Sequence, residues 1–342
     1  MSVEWRYVDA FAQQFRRCAM TAGEVVAVLS ESRSRTELVE TARLAAQSLG
    51  AQVFDIVLPT PPSAHPVAIR STGASQAIAR NRAVVAALAR TDMVVDCTVE
   101  GLLHAPELGE ILAGGTRVLM VSNEHPDTFD RLRFDASLVA EVEAAHARLK
   151  SAAVMRAHSA AGTDLTVRLA GAFTAGSVGL TDGPGSIAHW PGGLVLAFPA
   201  SHSVEGVVVL APGDVNLTFG RYMESTVQLT ILDDHITEID GDGLDADLFR
   251  SYLSAFGDRE SYATSHVGWG LNRNARWDSL ALWDKRDLWG TEVRAFAGNF
   301  LYSTGANENA GRFTAGHFDL PLRNHTITLD GVTVVERGVL VP

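Results

Sequence analysis

The hydrophobic and polar positions of residues 1–150 alternate between two patterns. Short continuous apolar runs, such as EVVAVLS and TRVLMVSN, are typical of buried parallel strands. The segments between these runs, such as TELVETARLAAQSLG, repeat their apolar residues with the helical period. Strands that alternate with helices predict an open, mainly parallel α/β sheet. We therefore expect an α/β fold class and an N-terminal α/β domain over residues 1–150.

The pattern changes in residues 151–342. Short runs such as TDLTVRLAG alternate apolar and polar residues and are separated by turn residues, which indicates antiparallel strands. HTITL and VTVVE are joined by Asp-Gly, a turn typical of hairpins. DADLFRSYLSAFG is predicted to be a helix capped by Asp245, and SHVGWGLN a second helix. We expect a mixed, largely antiparallel, β-rich α+β domain that carries the catalytic metal site.

Missing motifs and the charge balance exclude several functions. No glycine-rich G-x-G-x-x-G follows the first predicted strand, and no G-x-x-x-x-G-K-[ST] occurs, so dinucleotide and nucleoside-triphosphate binding lack their usual signatures. The formal net charge of -12 disfavours a nucleic-acid partner, because phosphate binding requires clustered basic residues. No apolar run is long enough to predict a membrane span. Two cysteines, Cys18 and Cys97, are too few for a disulfide framework and fit a reducing cytoplasm.

Candidate metal ligands occur near the end of the chain, in GHFDLPLRNHTITLDG. His317 and Asp319 are two residues apart, so on a strand their side chains point to the same face and could hold a metal. A structural hydrogen bond between the two is the alternative explanation. His266 in SHVGWGLN is the best third ligand, because Gly268 and Gly270 allow close backbone approach. Two histidines and one carboxylate are typical of ferrous oxygenases, although zinc accepts the same ligands.

Among the remaining histidines, several lie in surface-like contexts and are expected to face solvent, such as His65, His146, His158 and His325. His104 follows the predicted strand DMVVDCTV, at the edge of the sheet where open α/β folds bind ligands, or else it caps a helix.

The segment SHVGWGLN, followed by GNFLYSTGANENAGRFTAGHFDLPLRNHTITLDG, resembles 2,5-dihydroxypyridine 5,6-dioxygenases. These are extradiol-type iron enzymes of nicotinate and nicotine breakdown, distantly related to M29 leucyl aminopeptidases. The resemblance runs along the chain and is most specific over residues 265–331. It implies an Fe(II) site formed by His266, His317 and Asp319, with Ser303 near the metal or the substrate. Ser303 could also be a buried hydroxyl bonded to the backbone.

The same resemblance implies two catalytic histidines above the substrate, His104 in GLLHAPE and His189 in IAHWPGG. His104 would move the proton of the ring hydroxyl, and His189 would bind the ring. From the residues alone, His189 could instead be a turn residue packed beside Trp190. Glu308 in GANENAG could be an extra ligand or a loop carboxylate.

The resemblance also implies the reaction and its alternatives. The expected activity is cleavage of 2,5-dihydroxypyridine, or a close hydroxylated N-heterocycle, by O2 to N-formylmaleamate, in a homo-oligomer. The alternative is an M29-like aminopeptidase or other metallohydrolase. The aminopeptidases are expected to have a bridging carboxylate at the position that His266 occupies in this chain. A neutral imidazole there suits one Fe(II) better than two zinc ions. A catalytically silent binding protein is a third possibility, which the retained histidines disfavour.

Overall fold

The computed structural model describes residues 3–62, 65, 75–284 and 290–342. Its helices are α1 (Trp5–Arg17), α2 (Thr36–Ser48), α3 (Arg82–Leu88), α4 (Leu108–Ala113), α5 (Pro126–Arg131), α6 (Ala136–Ser151), α7 (Leu244–Ser254) and α8 (Thr291–Ala295). The strands are β1 (Val25–Glu31), β2 (Gln52–Leu58), β3 (Met93–Asp96), β4 (Arg117–Val121), β5 (Val154–Ser159), β6 (Asp164–Arg168), β7 (Phe173–Ser177), β8 (Ile187–Trp190), β9 (Leu194–Phe198), β10 (Val204–Leu210), β11 (Val215–Asn216), β12 (Arg221–Tyr222), β13 (Val227–Leu232), β14 (His235–Asp240), β15 (Thr264–Gly270), β16 (Phe300–Asn307), β17 (Arg312–Leu322), β18 (His325–Leu329), β19 (Val332–Glu336) and β20 (Val339–Leu340).

The first part of the chain forms a five-stranded parallel sheet, as predicted. Its strand order is β2-β1-β3-β4-β8, and all four neighbouring pairs are parallel. Val26 and Val28 of β1 pack in the cluster that includes α1 and α2, whereas Ala27 and Leu29 pack in the cluster that includes α3 and α4. Alternate residues of one strand thus bury against helices on opposite faces, which explains why its sequence is apolar throughout.

The C-terminal part of the chain forms two larger antiparallel sheets, again as predicted. One has the order β14-β13-β10-β6-β5-β18-β19-β20, the other β17-β16-β15-β9-β7, and β11 pairs with β12 in a separate ribbon. The two sheets share one continuous apolar core with α6 and α7. The predicted domain boundary at residue 150 stays a prediction. Strand β8, from beyond that boundary, completes the parallel sheet.

The prediction of a helix for SHVGWGLN is wrong, because residues 264–270 form β15. This strand pairs antiparallel with β16 on one side and β9 on the other. Gly268 lies so close to β9 that a Cβ atom there would overlap the carbonyl oxygen of Val195. Val267 and Trp269 alternate with His266 and Gly268, which is the two-residue period of a strand.

Two smaller expectations are also wrong. Helix α7 begins at Leu244 after Gly243, and Asp245 accepts hydrogen bonds from the backbone N–H groups of Glu224 and Ser225 instead of capping its own helix. His325 is buried and not solvent-facing.

No helix in the described part of the chain combines the length and the apolar character needed to cross a bilayer.

Candidate metal centre

Three neighbouring strands place four polar side chains on one face of the smaller antiparallel sheet. His266 on β15 lies opposite Ser303 on β16, and Ser303 lies opposite Asp319 on β17. His317 precedes Asp319 by two residues and therefore points to the same face. The predicted ligands thus meet because the strands pair in this register.

The side chains of His266, His317 and Asp319 converge on one point. Their nearest nitrogen and oxygen atoms all lie within 4.8 Å of one another, and no other group of His, Cys, Asp or Glu in the described ranges does the same. Oδ1 of Asp319 is 3.5 Å from Nε2 of His266 and 3.3 Å from Nε2 of His317. Ligand atoms about 2 Å from a common ion are separated by roughly 3 Å, so these distances suit one small cation.

The surroundings of Asp319 keep its carboxylate charged. Ser303 donates a hydrogen bond to Oδ1, and Nε of Arg294 lies 2.5 Å from Oδ2. Burial would raise the pKa of Asp319, but the Arg294 guanidinium and the two histidines hold it well below its usual range. An ionised, hydrogen-bonded carboxylate is ready to bind a cation.

The surroundings of His266 keep its imidazole neutral. Burial lowers the pKa of His266 to about 3, which leaves a nitrogen lone pair available to a metal. Ser265 lies 3.1 Å from Nδ1, so Nε2 is the nitrogen that faces Asp319. Two imidazoles and one carboxylate on one side of an ion fit a single Fe(II) or Zn(II), and the buried donor set supports such a centre.

His104 reaches the same centre from the parallel sheet. It lies in the loop between β3 and α4, and its ring centroid is 6.3 Å from that of His317. Its Nδ1 is 3.2 Å from Oε1 of Glu308, and this hydrogen bond lowers the pKa of Glu308. The structure therefore places Glu308 beside His104 and outside the three converging ligands.

His189 lies on β8, the strand at one edge of the parallel sheet. Its Nε2 is 2.9 Å from the Ser122 hydroxyl and 3.2 Å from the Thr291 hydroxyl. Burial lowers the pKa of His189 to about 3, and the nearby charges of Arg294 and Asp319 affect it in opposite directions. His189 is thus a neutral side chain within electrostatic reach of the candidate ligands.

The sequence analysis missed three residues of the site: Ser122, Thr291 and Arg294. Thr291 and Arg294 occupy positions three apart in α8, which lie on one face of a helix. One short helix thereby contacts both His189 and Asp319. The spacing in TEVRA is a possible signal, but the helix is too short to show a clear pattern.

Fold and site together define the class of protein: an α/β enzyme with a two-histidine, one-carboxylate candidate metal centre. A family model described as 2,5-dihydroxypyridine 5,6-dioxygenase matches residues 6–342. The chain belongs to this family of dioxygenases. It is similar to the 2,5-dihydroxypyridine 5,6-dioxygenase of Pseudomonas putida, with 38% identity over 92% of this chain and 90% of that protein.

Solved structures agree with this assignment. The structure of 2,5-dihydroxypyridine dioxygenase from Pseudomonas putida KT2440 is similar with a TM-score of 0.91 and 36% identity, covering 98% of this chain and 96% of the other. Wild-type AmpT from Thermus thermophilus has a TM-score of 0.63 at 14% identity, covering 98% and 99% of the two chains. The second likeness shows a shared fold alone.

Proposed function

We propose that this chain cleaves the ring of 2,5-dihydroxypyridine, or of a close hydroxylated N-heterocycle, with O2 at one Fe(II). The proposed ligands are His266, His317 and Asp319. The observation that carries the proposal is their convergence on one face of the smaller antiparallel sheet, in a chain that belongs to a dioxygenase family. Both oxygen atoms of O2 would enter the product, N-formylmaleamate, so no external reductant is needed.

The iron, when bound, would supply open coordination positions and a route for electrons from the ring to O2. His104 lies beside His317, and His189 lies within electrostatic reach of Asp319, so both histidines are close to the proposed ligands. Arg294 and Ser303 would keep Asp319 ionised and fixed in orientation.

His104 is the proposed acid/base residue. Because Glu308 accepts a hydrogen bond from its Nδ1, the other ring nitrogen, Nε2, remains to take the proton of the substrate hydroxyl and later return it. An imidazole suits this task because its ordinary pKa is close to neutrality.

His189 is the proposed ring-binding residue. Its Nε2 is fixed by Ser122 and Thr291, which limits the orientations of the imidazole. A neutral imidazole held in one orientation can hydrogen-bond and orient a polar aromatic ring without adding charge beside the metal.

We further propose that the protein is a homo-oligomer and acts in the cytoplasm. The first rests on the family resemblance seen in the sequence. In support of the second, Cys18 and Cys97 are both free and buried, which suits a reducing compartment.

The test is anaerobic loading of metal-free protein with Fe(II) or Zn(II), followed by an oxygen-electrode assay with 2,5-dihydroxypyridine. We expect O2 uptake and loss of the ring absorbance with Fe(II) alone. Activity of the Zn(II) form on peptide substrates, without O2 uptake, would instead support the metallohydrolase.

A further inference from the structure

The loop that carries His104 is unusually buried for a connection between two elements. It connects β3 to α4 through residues 97–107, and Thr98, Val99 and Leu102 are each at most 3% exposed. Buried backbone N–H groups need acceptors, because water cannot reach them. Here the acceptors are the carboxylates of Asp96 and Glu31.

Asp96 accepts hydrogen bonds from two positions of this loop, Thr98 and Leu102. Its Oδ1 accepts hydrogen bonds from the backbone N–H of Thr98 at 3.0 Å and from the Thr98 hydroxyl at 2.7 Å. Its Oδ2 accepts from the backbone N–H of Leu102 at 2.8 Å. The Thr98 hydroxyl in turn accepts from the N–H of Gly101 at 3.1 Å. Asp96 itself is fully buried.

Leu102 connects this network directly to His104. The N–H of Ala105 donates to the carbonyl oxygen of Leu102 at 2.9 Å, which closes a turn with Leu103 and His104 at its centre. The residue that Asp96 holds is therefore the first residue of the turn that presents the imidazole.

Glu31 supports the loop from the neighbouring strand. Its Oε1 accepts a hydrogen bond from the N–H of Val99 at 2.6 Å. Glu31 ends β1 and Asp96 ends β3, two adjacent parallel strands. The chain runs from β1 outward to β2 on one side and then crosses to β3 on the other side, so the strand order reverses between β1 and β3. Open α/β sheets form their binding crevice at such a point.

We propose that Asp96 is a positioning residue for the ring-cleaving reaction, which holds the loop so that His104 faces the metal centre. The inference rests on the proposed acid/base role of His104. Asp96 does not contact the substrate, and its effect passes through the hydrogen bond to Leu102. A displacement of a catalytic group by about 1 Å can cost up to about 100-fold in rate, so a loosened loop should slow turnover measurably.

Asp96→Asn is the informative substitution, because it keeps the shape of the side chain. Asp96 uses both carboxylate oxygens as acceptors, whereas asparagine has one acceptor oxygen and an NH2 group that can only donate. Either the Thr98 or the Leu102 N–H must therefore lose its partner. Asp214→Asn is the matched control, because Asp214 is also buried and accepts from the N–H groups of Ala211 and Arg323 in another loop.

The experiment is a double-mutant cycle on the iron-loaded protein, with wild type, Asp96→Asn, His104→Ala and the double variant. We expect Asp96→Asn to lower kcat about 10-fold or more, with iron content and KM little changed. In the His104→Ala background the same substitution should have no further effect on kcat, because the group it positions is gone. Asp214→Asn should lower kcat by the same small factor in both backgrounds.

The possible failures are distinguishable. If His104→Ala turns over like wild type, the acid/base assignment of the proposed function is wrong, and the role of Asp96 is lost with it. If His104→Ala is slow but Asp96→Asn has no effect, or the two effects multiply, the inference alone is overturned. Should Asp96→Asn not fold, Thr98→Val takes its place in the cycle and is judged in the same way, because it removes the hydroxyl that bridges Asp96 and Gly101.

Discussion

At the scale of single residues, the Asp319 carboxylate connects the metal centre to its surroundings. Oδ1 faces the two histidines and also accepts a hydrogen bond from the Ser303 hydroxyl, while Oδ2 accepts a hydrogen bond from Arg294. The orientation of Asp319 therefore depends on groups other than the three proposed ligands. Loss of such a group weakens a centre without abolishing it.

Ser303→Ala should consequently remain partly active. We expect a loss of about 10- to 100-fold in metal affinity or turnover, the usual scale for an outer hydrogen bond to a ligand. Thr304→Val is the control, because Thr304 is equally buried but its hydroxyl has no hydrogen-bond partner among the described residues. Iron titration and turnover of the two variants give the comparison. A complete loss of iron in Ser303→Ala would show that Ser303 is itself a ligand.

His104→Ala should retain iron and lower turnover by about 100-fold or more, because it removes the proposed acid/base group. The control is His158→Ala, an exposed histidine on β5 that should behave like wild type. Metal analysis and single-turnover kinetics on both variants test this. Turnover of His104→Ala equal to that of wild type would exclude His104 from the mechanism.

The sequence allowed the residues of the site to be proposed where a short-range rule applied. His317 and Asp319 could be paired because the two-residue strand period is local. Ser122, Thr291 and Arg294 could not, because they reach His189 and Asp319 through contacts between distant parts of the chain. Glu308 was proposed as a ligand or a loop carboxylate, and the structure shows it at His104.

At the scale of elements, strand β18 begins with a buried histidine that is hydrogen-bonded at both ring nitrogens. Nδ1 of His325 donates to the carbonyl oxygen of Arg323 at 2.7 Å, and Nε2 accepts from the Thr163 hydroxyl at 2.9 Å. The second bond requires the neutral ring, because a protonated Nε2 cannot accept. Burial lowers the pKa of His325 from 6.5 to about 4.

The stability of the fold should therefore depend on pH through His325. The unfolded chain takes up a proton near pH 6.5 and the folded chain only near pH 4, so this contribution is complete above pH 6.5 and is lost as the pH falls to about 4. We expect the advantage of wild type over His325→Gln in free energy of unfolding to shrink by about 3 kcal/mol over that range. Chemical denaturation at several pH values measures it. A difference between wild type and His325→Gln that stays constant over this pH range would contradict the account.

The elements that could be predicted are those with long or local patterns. Apolar runs identified the parallel strands, whereas the helix prediction for SHVGWGLN is wrong because its two glycines leave few side chains to show the two-residue period. The sequence analysis does not predict helix α1, although Tyr7, Phe11 and Phe15 form a buried stripe with four-residue spacing. The many polar residues of this helix obscure the apolar period in the sequence.

At the scale of the whole molecule, the two types of sheet and their order along the chain followed from the sequence, but the connection between the sheets did not. The pairing of β8 with β4 joins residues far apart in the chain, and no local pattern specifies such a pairing. The same holds for the approach of His104 to His317, which brings the parallel sheet and the antiparallel sheet to one centre.

The proposed homo-oligomer is a property of the whole molecule. Sedimentation velocity of the iron-loaded protein at micromolar concentration should give a mass that is a multiple of the 36.6 kDa chain. A stable monomer at that concentration would refute this part of the proposal.

The most direct test of the central claim is the iron content of four proteins that have been loaded anaerobically and checked for folding by circular dichroism. Wild type should bind one iron per chain, and His317→Ala and Asp319→Ala should fold but bind none. Phe318→Leu is the control, because Phe318 lies between the two ligands, points to the opposite face and stacks on Phe249 at 4.4 Å, so it should retain iron. Full iron occupancy in both alanine variants would mean that this strand does not hold the metal.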